Sequence, residues 1–303
     1  MTQRSENHLL PTVANILNIS NEERIQYINK EKWIGYPQAK EILQKLNDLL
    51  IYPRKTRMPS MLIVGGTNNG KTSLIQRFLS KNPPIRSKEW QETTQIPIIS
   101  IQAPISPNVS DLYSAILERF AVPYKNTDKI AKKEQQIRNY FGLCNLKMLI
   151  IDEIHNILSG PISKQKMFMN ALKNLSNSLQ ISIVLVGTKE ALRATNTDEQ
   201  INNRFKPVFL PKWHYNNEYL SLLASFEKIL PLKNPSLLAS NEKIGFKILD
   251  LSEGYIGEMV DLLATATISA IRNGNEKITL QELSSCNFTR PSERQNFEDI
   301  ITL

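Results

Sequence analysis

Gly65-Gly66-Thr67-Asn68-Asn69-Gly70-Lys71-Thr72 is the stretch on which the reading of this chain turns. It fits the pattern G-x-x-x-x-G-K-[ST], in which glycines let the backbone wrap a phosphate chain with its N–H groups pointing inward. The run before it, Met61–Gly65, is short and apolar and reads as a strand; the run after it, from Gly70 to about Lys81, reads as a helix. That context is what the chemistry needs, because the end of the strand presents the loop and the helix N-terminus adds partial positive charge. Lys71 would reach the β- and γ-phosphates. The Thr72 hydroxyl would ligate Mg2+. Gly65, Gly66, Thr67, Asn68, Asn69, Gly70 and Ser73 would line the phosphates of a bound ATP.

A second motif lies downstream. Met148-Leu149-Ile150-Ile151-Asp152-Glu153 is a buried strand with two carboxylates at its C-terminal end, where ligands sit in open parallel sheets. Asp152 would hold the hydration shell of Mg2+, and Glu153 would polarise the attacking water. An acidic pair beside the strand argues for hydrolysis rather than nucleotide sensing alone.

Three further positions have two readings each. Thr188 ends the strand Ile183–Gly187, and it either touches the γ-phosphate or caps the helix that follows. Arg204, in Asp198-Glu-Gln-Ile-Asn-Asn-Arg204-Phe205, is a candidate arginine finger for a neighbouring copy, or else a surface arginine paired with Asp198 or Glu199. Trp33-Ile34-Gly35-Tyr36-Pro37 either covers an adenine face through Ile34 and Tyr36 or straps the N-terminal segment to the core. His155 reads as structural or as a supporting neighbour of Glu153, since hydrolysis needs no histidine.

Around these motifs the pattern alternates. Strands are expected at Ile96–Ile101, Lys147–Ile151, Ile181–Gly187 and Pro207–Leu210, and helices at Pro37–Leu50, Val109–Phe120, Asp128–Phe141 and Lys164–Leu179. Apolar, β-branched strands separated by helices imply a parallel sheet covered on both faces, an α/β core of five strands. After Leu210 the strand pattern stops. Tyr215–Ile229, Asn241–Leu251, Gly257–Asn273 and Leu280–Ser285 read as helices. The expected organisation is therefore a polar leader over residues 1–30 with a short helix over Glu22–Ile28, an ATPase core over 31–213, a helical lid over 214–286 and a polar tail over 287–303.

Composition narrows the class. The 303 residues carry a net charge of +8, with 41% hydrophobic and 22% charged residues. The balance suits a soluble globular protein with a polyanionic partner such as nucleic acid. The apolar runs are far shorter than the roughly 20 residues of a membrane span, and Met1–Leu10 lacks the apolar core of a signal peptide. The expectation is a cytoplasmic protein without a membrane partner. Two cysteines and three histidines leave no zinc-type spacing.

With these residues in place, the chain resembles the TniB family, AAA+ ATP-binding proteins of transposons that carry a TniA-type integrase, with the TnsC regulators as wider relatives. The resemblance runs from about Trp33 to Leu280. It rests on Trp33–Ala39, Arg57-Met58-Pro59, Ile151–Asn156, Arg204-Phe205, Leu210-Pro211-Lys212-Trp213, Phe226–Leu232 and Ser252-Glu253-Gly254-Tyr255-Ile256-Gly257-Glu258. It implies an AAA+ P-loop fold with a C-terminal helical lid. It also implies a homo-oligomer, ring or filament, that assembles with ATP on double-stranded DNA, recruits a TniA-type transposase, meets a TniQ-type adaptor in guided systems, and disassembles on hydrolysis. The DNA channel of related assemblies corresponds here to Lys125, Thr127, Lys129, Lys132 and Lys133, which could also be a solvated helix face. One departure stands out: Gly254–Leu262 lacks the arginine many AAA+ lids carry, leaving Glu258 as the nucleotide-sensing candidate. The alternatives are a helicase loader or replication initiator, and a signalling switch.

Overall fold

The computed structural model describes residues 8–86, 93–195 and 199–294. Its described parts form two compact units. One comprises Pro37–Thr67 and Lys71–Leu210; the other comprises the described residues of Met1–Tyr36, Asn68–Gly70 and Pro211–Leu303.

The first unit is built on a sheet of strands β1 (Ser60–Gly65), β2 (Ile98–Gln102), β3 (Met148–Asp152), β4 (Ser182–Gly187) and β5 (Phe205–Leu210). All pairings are parallel, in the order β2-β3-β4-β1-β5. Every residue of β1, β3 and β4 is buried, as expected of central strands covered on both faces. β5 begins at Phe205, two residues before the expected start. The sequence reading stopped at Pro207, which cannot donate a ladder hydrogen bond; an edge strand tolerates it, because one side of its backbone is free.

Helices cover the sheet. Pro37–Leu50 starts with proline at its first position, where no N–H is needed, and buries Ala39, Ile42, Leu43, Leu46 and Leu50 along one stripe. Lys71–Lys81, Val109–Arg119, Ile130–Leu143 and Ile162–Leu179 complete the layers. The core gathers Leu62, Ile99, Leu112, Ile116, Ile137, Leu149, Phe168, Leu172 and Leu185. β4 therefore lies between β3 and β1, so the carboxylates that end β3 and the glycine-rich loop that follows β1 flank its tip.

The second unit is helical: Asn217–Glu227, Glu242–Ser252, Ile256–Arg272 and Leu280–Ser285. Asn216, Asn241 and Thr279 cap three of these helices with side-chain oxygens, satisfying N–H groups that a helix start leaves open. Tyr219, Leu223, Ile248, Met259, Leu262 and Leu263 form its core.

In the N-terminal stretch the expected short helix begins one residue before Glu22. Asn21–Ile28 is a helix with a capping box between Ser20 and Glu23. Leu10 N–H donates to Lys228 O at 3.0 Å. Arg24, 1% exposed, holds Glu276 through Nη1–Oε1 (2.8 Å) and Nη2–Oε2 (2.5 Å). This stretch reads as polar because its ordering rests on an ion pair with a residue far along the chain. No described helix is long and apolar enough to cross a membrane.

Candidate nucleotide site

The loop after β1 has the backbone its pattern requires. Asn68 and Gly70 sit at φ 53° and 77°, the left-handed region that glycine enters without strain. Lys71 is buried, and its ammonium donates to Gly65 O (3.1 Å) and Gly66 O (2.7 Å). Burial pushes its pKa down, while the nearby charges of Glu153 and Asp152 hold it up. A phosphate chain arriving here could take over the donors that Lys71 now spends on loop carbonyls.

The Thr72 hydroxyl donates to Asp152 Oδ2 at 3.2 Å. Two side chains 80 residues apart thus converge as a hydroxyl and a carboxylate, the hard oxygen donors that Mg2+ takes with water and phosphate. The residues fit that ion. Ser73 is exposed one position further along the helix.

Glu153 adopts φ 54°, ψ 37°, a conformation uncommon for a non-glycine residue and frequent at functional sites. Its N–H donates to Asp152 Oδ1 at 2.8 Å, so the turn that aims Glu153 is braced by its neighbour. Its Oε2 lies 3.2 Å from His155 Nε2. His155 is therefore the direct partner of Glu153. Gly187 makes room for that ring, because a Cβ there would stand 3.3 Å from His155 Nδ1 and 2.9 Å from Ala191 Cβ. Thr188, at the tip of β4, donates its hydroxyl to Glu190 rather than capping a helix N–H.

The loop tip, Asn68–Gly70, groups with the helical unit. Gly257 N–H donates to Asn68 O at 2.9 Å. A Cβ on Gly257 would fall 2.0 Å from Asn68 Oδ1, so glycine is required there. Asn68 Nδ2 donates to Glu258 Oε1 at 3.0 Å, and Asn69 Nδ2 to Pro211 O at 3.1 Å. Glu258 is 4% exposed and is gripped by Arg294 through Nη1–Oε1 (3.0 Å) and Nη2–Oε2 (2.6 Å). The stretch Gly254–Leu262, which has no arginine of its own, thus receives one from the C-terminal segment, and Glu258 also accepts from the loop tip. Residues 295–303 of the expected tail lie outside the described residues. Ile34 and Tyr36 pack against the helical core, Tyr36 edge-on to Trp213 with ring centroids 5.1 Å apart; burial raises the Tyr36 hydroxyl to about 12.

Arg204 departs from the expectation of a surface arginine. It is 6% exposed and donates to Asn177 Oδ1 (2.5 Å) and Lys173 O (3.4 Å). Of its two expected carboxylate partners, Asp198 lies outside the described residues and the side chain of Glu199 is not described. β1 and β5 pair in register from Ser60↔Phe205 to Gly65↔Leu210. Arg204 therefore precedes the N-terminal end of β5, while the glycine-rich loop follows the C-terminal end of β1. A six-residue strand separates them by about 16 Å at ~3.3 Å per residue, beyond the reach of an arginine side chain.

One of the expected DNA contacts is corrected. Lys133 is 1% exposed; its ammonium donates to Ser110 Oγ (2.9 Å) and Ser114 Oγ (2.8 Å) and lies over the Tyr124 ring. It ties two helices together and is not available to a phosphate. Lys125, Thr127, Lys129 and Lys132 are exposed, with Lys132 paired to Asp128 at 2.7 Å. Sequence spacing missed this because one helical turn separates Lys129 from Lys133 and only the packed partner shows which side is covered.

The sequence matches the family described as Bacterial TniB protein over residues 24–215. A curated protein, conserved oligomeric Golgi complex subunit 6 of Candida albicans, is 26% identical over 151 residues, 49% of this chain and 19% of that protein; the chain spans less than a quarter of that relative. Among solved structures, the ORC2 protein of Aeropyrum pernix (ADPNP–ADP complexes) has a TM-score of 0.60 at 16% identity, over 86% of this chain and 70% of that one. Cdc6p of Pyrobaculum aerophilum has a TM-score of 0.59 at 15% identity, over 85% and 68%. The Aeropyrum pernix ORC1 protein in complex with DNA has a TM-score of 0.52 at 15% identity, over 86% and 68%. At these identities the likeness establishes the fold alone, a parallel five-stranded α/β core with a C-terminal helical region.

Proposed function

Because the chain belongs to the bacterial TniB family, we propose that it is an ATP-hydrolysing regulator of transposition that oligomerises on double-stranded DNA, recruits a TniA-type transposase, and disassembles on hydrolysis. The observation that carries the ATPase part is the Thr72–Asp152 contact at 3.2 Å, beside Lys71 and Glu153. In this reading the helical unit is the lid, and a TniQ-type adaptor is the further partner in guided systems.

Glu153 takes a proton from water as the water oxygen bonds to the γ-phosphorus. The bond to the β,γ-bridging oxygen breaks, and ADP leaves with the electron pair. Lys71 holds the phosphate chain, and Thr72 and Asp152 would hold Mg2+, which when bound supplies charge neutralisation of the phosphates. Arg204, about 16 Å of strand away from its own loop, serves the nucleotide of a neighbouring copy.

Glu153→Gln tests the hydrolytic role. It is expected to retain ATP while turnover falls by roughly 10²–10⁴-fold, the usual contribution of a positioned general base, and to leave long-lived assemblies on duplex DNA. Phosphate release and sedimentation with duplex DNA, with ATP, with ADP and without nucleotide, read both effects. Wild-type turnover would remove Glu153 from this role. A monomer under all conditions would remove the assembly reading and favour a helicase loader or replication initiator.

The DNA contacts in this reading are Lys125, Thr127, Lys129 and Lys132. Lys129→Glu is expected to weaken duplex binding, and the loss should shrink as salt rises. Lys133→Ala is expected to leave DNA affinity unchanged while lowering the melting temperature, since it removes a buried helix-to-helix tie. The opposite pattern in titration and thermal melts would return Lys133 to the interface.

A further inference from the structure

At the N-terminal ends of β1 and β5 lies a cavity of about 550 Å3, lined among others by Lys45, Tyr52, Arg57, Ser60, Arg204 and Lys206. Among its described lining residues four side chains are cationic and one, Asp48, is anionic. Lys45 is paired with Glu41 at 2.7 Å. Neither Arg57 nor Arg204 has an ion pair among the described residues.

Arg204 is the unusual member. The residue is 6% exposed, its guanidinium is held by neutral oxygens of Asn177 and Lys173, and its Nε is buried without a partner. A buried charge without a counterion is unfavourable unless something compensates it. Arg57 adds to the imbalance. It stands exposed at the mouth, anchored by Met58, which is 3% exposed and whose Sδ accepts the Lys55 N–H at 3.3 Å. Burial first, and then the charge of Arg57, lowers the Arg204 pKa. Among the described residues Arg57 and Arg204 have no ion-pair partner and the cavity lining offers one carboxylate, Asp48, against four cations; such an excess suits an incoming anion, and a forked, planar cation suits phosphate oxygens in particular.

We propose that Arg57 acts together with Arg204 as a second cation for the triphosphate of a neighbouring copy, so that this cavity is the receiving half of a shared site. The proposal rests on the reading of Arg204 as trans-acting. Arg57, being exposed, meets the incoming γ-phosphate first; Arg204 then exchanges Asn177 for phosphate oxygens. Both charges gain an anion only when a second copy arrives with nucleotide bound.

A mixing experiment tests this. An acceptor carries Arg204→Ala and an intact nucleotide loop. A donor carries Lys71→Ala, binds no ATP and keeps both arginines. Each alone is close to inactive, and hydrolysis in the mixture reports only interfaces where acceptor nucleotide meets donor arginines. Adding Arg57→Ala to the donor is expected to lower the mixed rate by at least about ten-fold, less than the 10²–10³-fold of a preorganised buried donor. Adding it to the acceptor should leave the rate unchanged, and melting temperature and duplex-DNA affinity should not move. Equal loss on either copy, or a loss of DNA affinity showing that Arg57 serves backbone phosphate, would overturn the proposal. No loss on either copy would overturn it too, provided Arg204→Ala on the donor abolishes the mixed rate, and the function above would stand. If Arg204→Ala on the donor has no effect, the trans-acting reading itself falls.

Discussion

Arg204→Ala is expected to lower ATP turnover by about 10³–10⁵-fold while leaving ATP binding by the single copy intact. An arginine supplied across an interface stabilises charge on the transferring phosphoryl group, and its loss removes that full factor, equivalent to about 4–7 kcal/mol of barrier. Binding should survive because Arg204 and the glycine-rich loop lie at opposite ends of paired strands, Ser60↔Phe205 at one end and Gly65↔Leu210 at the other. Arg204→Lys should recover little, since an ammonium lacks the planar fork. Asn177→Ala frees the guanidinium without deleting it and should cost far less turnover. Because Arg204 is buried, thermal melts of each variant separate lost chemistry from lost folding. Turnover near wild type in a well-folded Arg204→Ala would end its role as a finger.

The second large effect concerns stability. Arg24→Ala is expected to destabilise the helical unit by about 3–5 kcal/mol, because it removes the buried partner of the Glu276 carboxylate and leaves it only Lys233, whose ammonium is 3.8 Å away and largely exposed. Arg24 Nη2 also donates to Pro231 O at 2.6 Å and Nη1 to Asn21 Oδ1 at 3.0 Å, so one substitution opens several bonds. Replacing both partners by apolar residues, Arg24→Met with Glu276→Leu, should be much milder, since no unpaired charge remains. Urea unfolding of the single and double variants measures the difference. A single-variant cost under about 1 kcal/mol would place the pair in the class of solvated surface bridges. The pair also sets a pH dependence. Burial pushes the Glu276 carboxyl up, but hydrogen bonds from Arg24 and Lys233 N–H and the two cationic charges outweigh it, and the net shift is downward. A depressed carboxyl stabilises the fold above its unfolded pKa. That stability is lost as pH falls from the ordinary glutamate range through the lowered folded value. Arg24→Ala should remove this part of the acid transition.

The comparison of sequence with structure divides along the range of the interactions. The five strands, the loop Gly65–Thr72 and the pair Asp152-Glu153 were readable in the chain. Apolar runs, helix periodicity and glycine placement act over a few residues, and the backbone answers to them locally. Even there, β5 was read short at Pro207, because proline's local prohibition is lifted at a sheet edge that only the assembled sheet defines. Lys133 was read as a surface cation because helix spacing alone does not say which face is packed. The Arg24–Glu276 pair spans 252 residues and the Asn68–Glu258 contact 190; no local pattern says that these partners meet. Arg294 meeting Glu258 is of the same kind, and the arginine missing from Gly254–Leu262 gave no hint of where its charge would come from. By itself the sequence determined which residues can hold phosphate and which can activate water. Only the tertiary structure decided that Thr72 meets Asp152, that His155 partners Glu153, and that Arg204 stands a strand's length from its own loop. The first and the last follow from how the sheet orders its strands, an order set by packing across the whole chain; the second follows from the left-handed turn at Glu153.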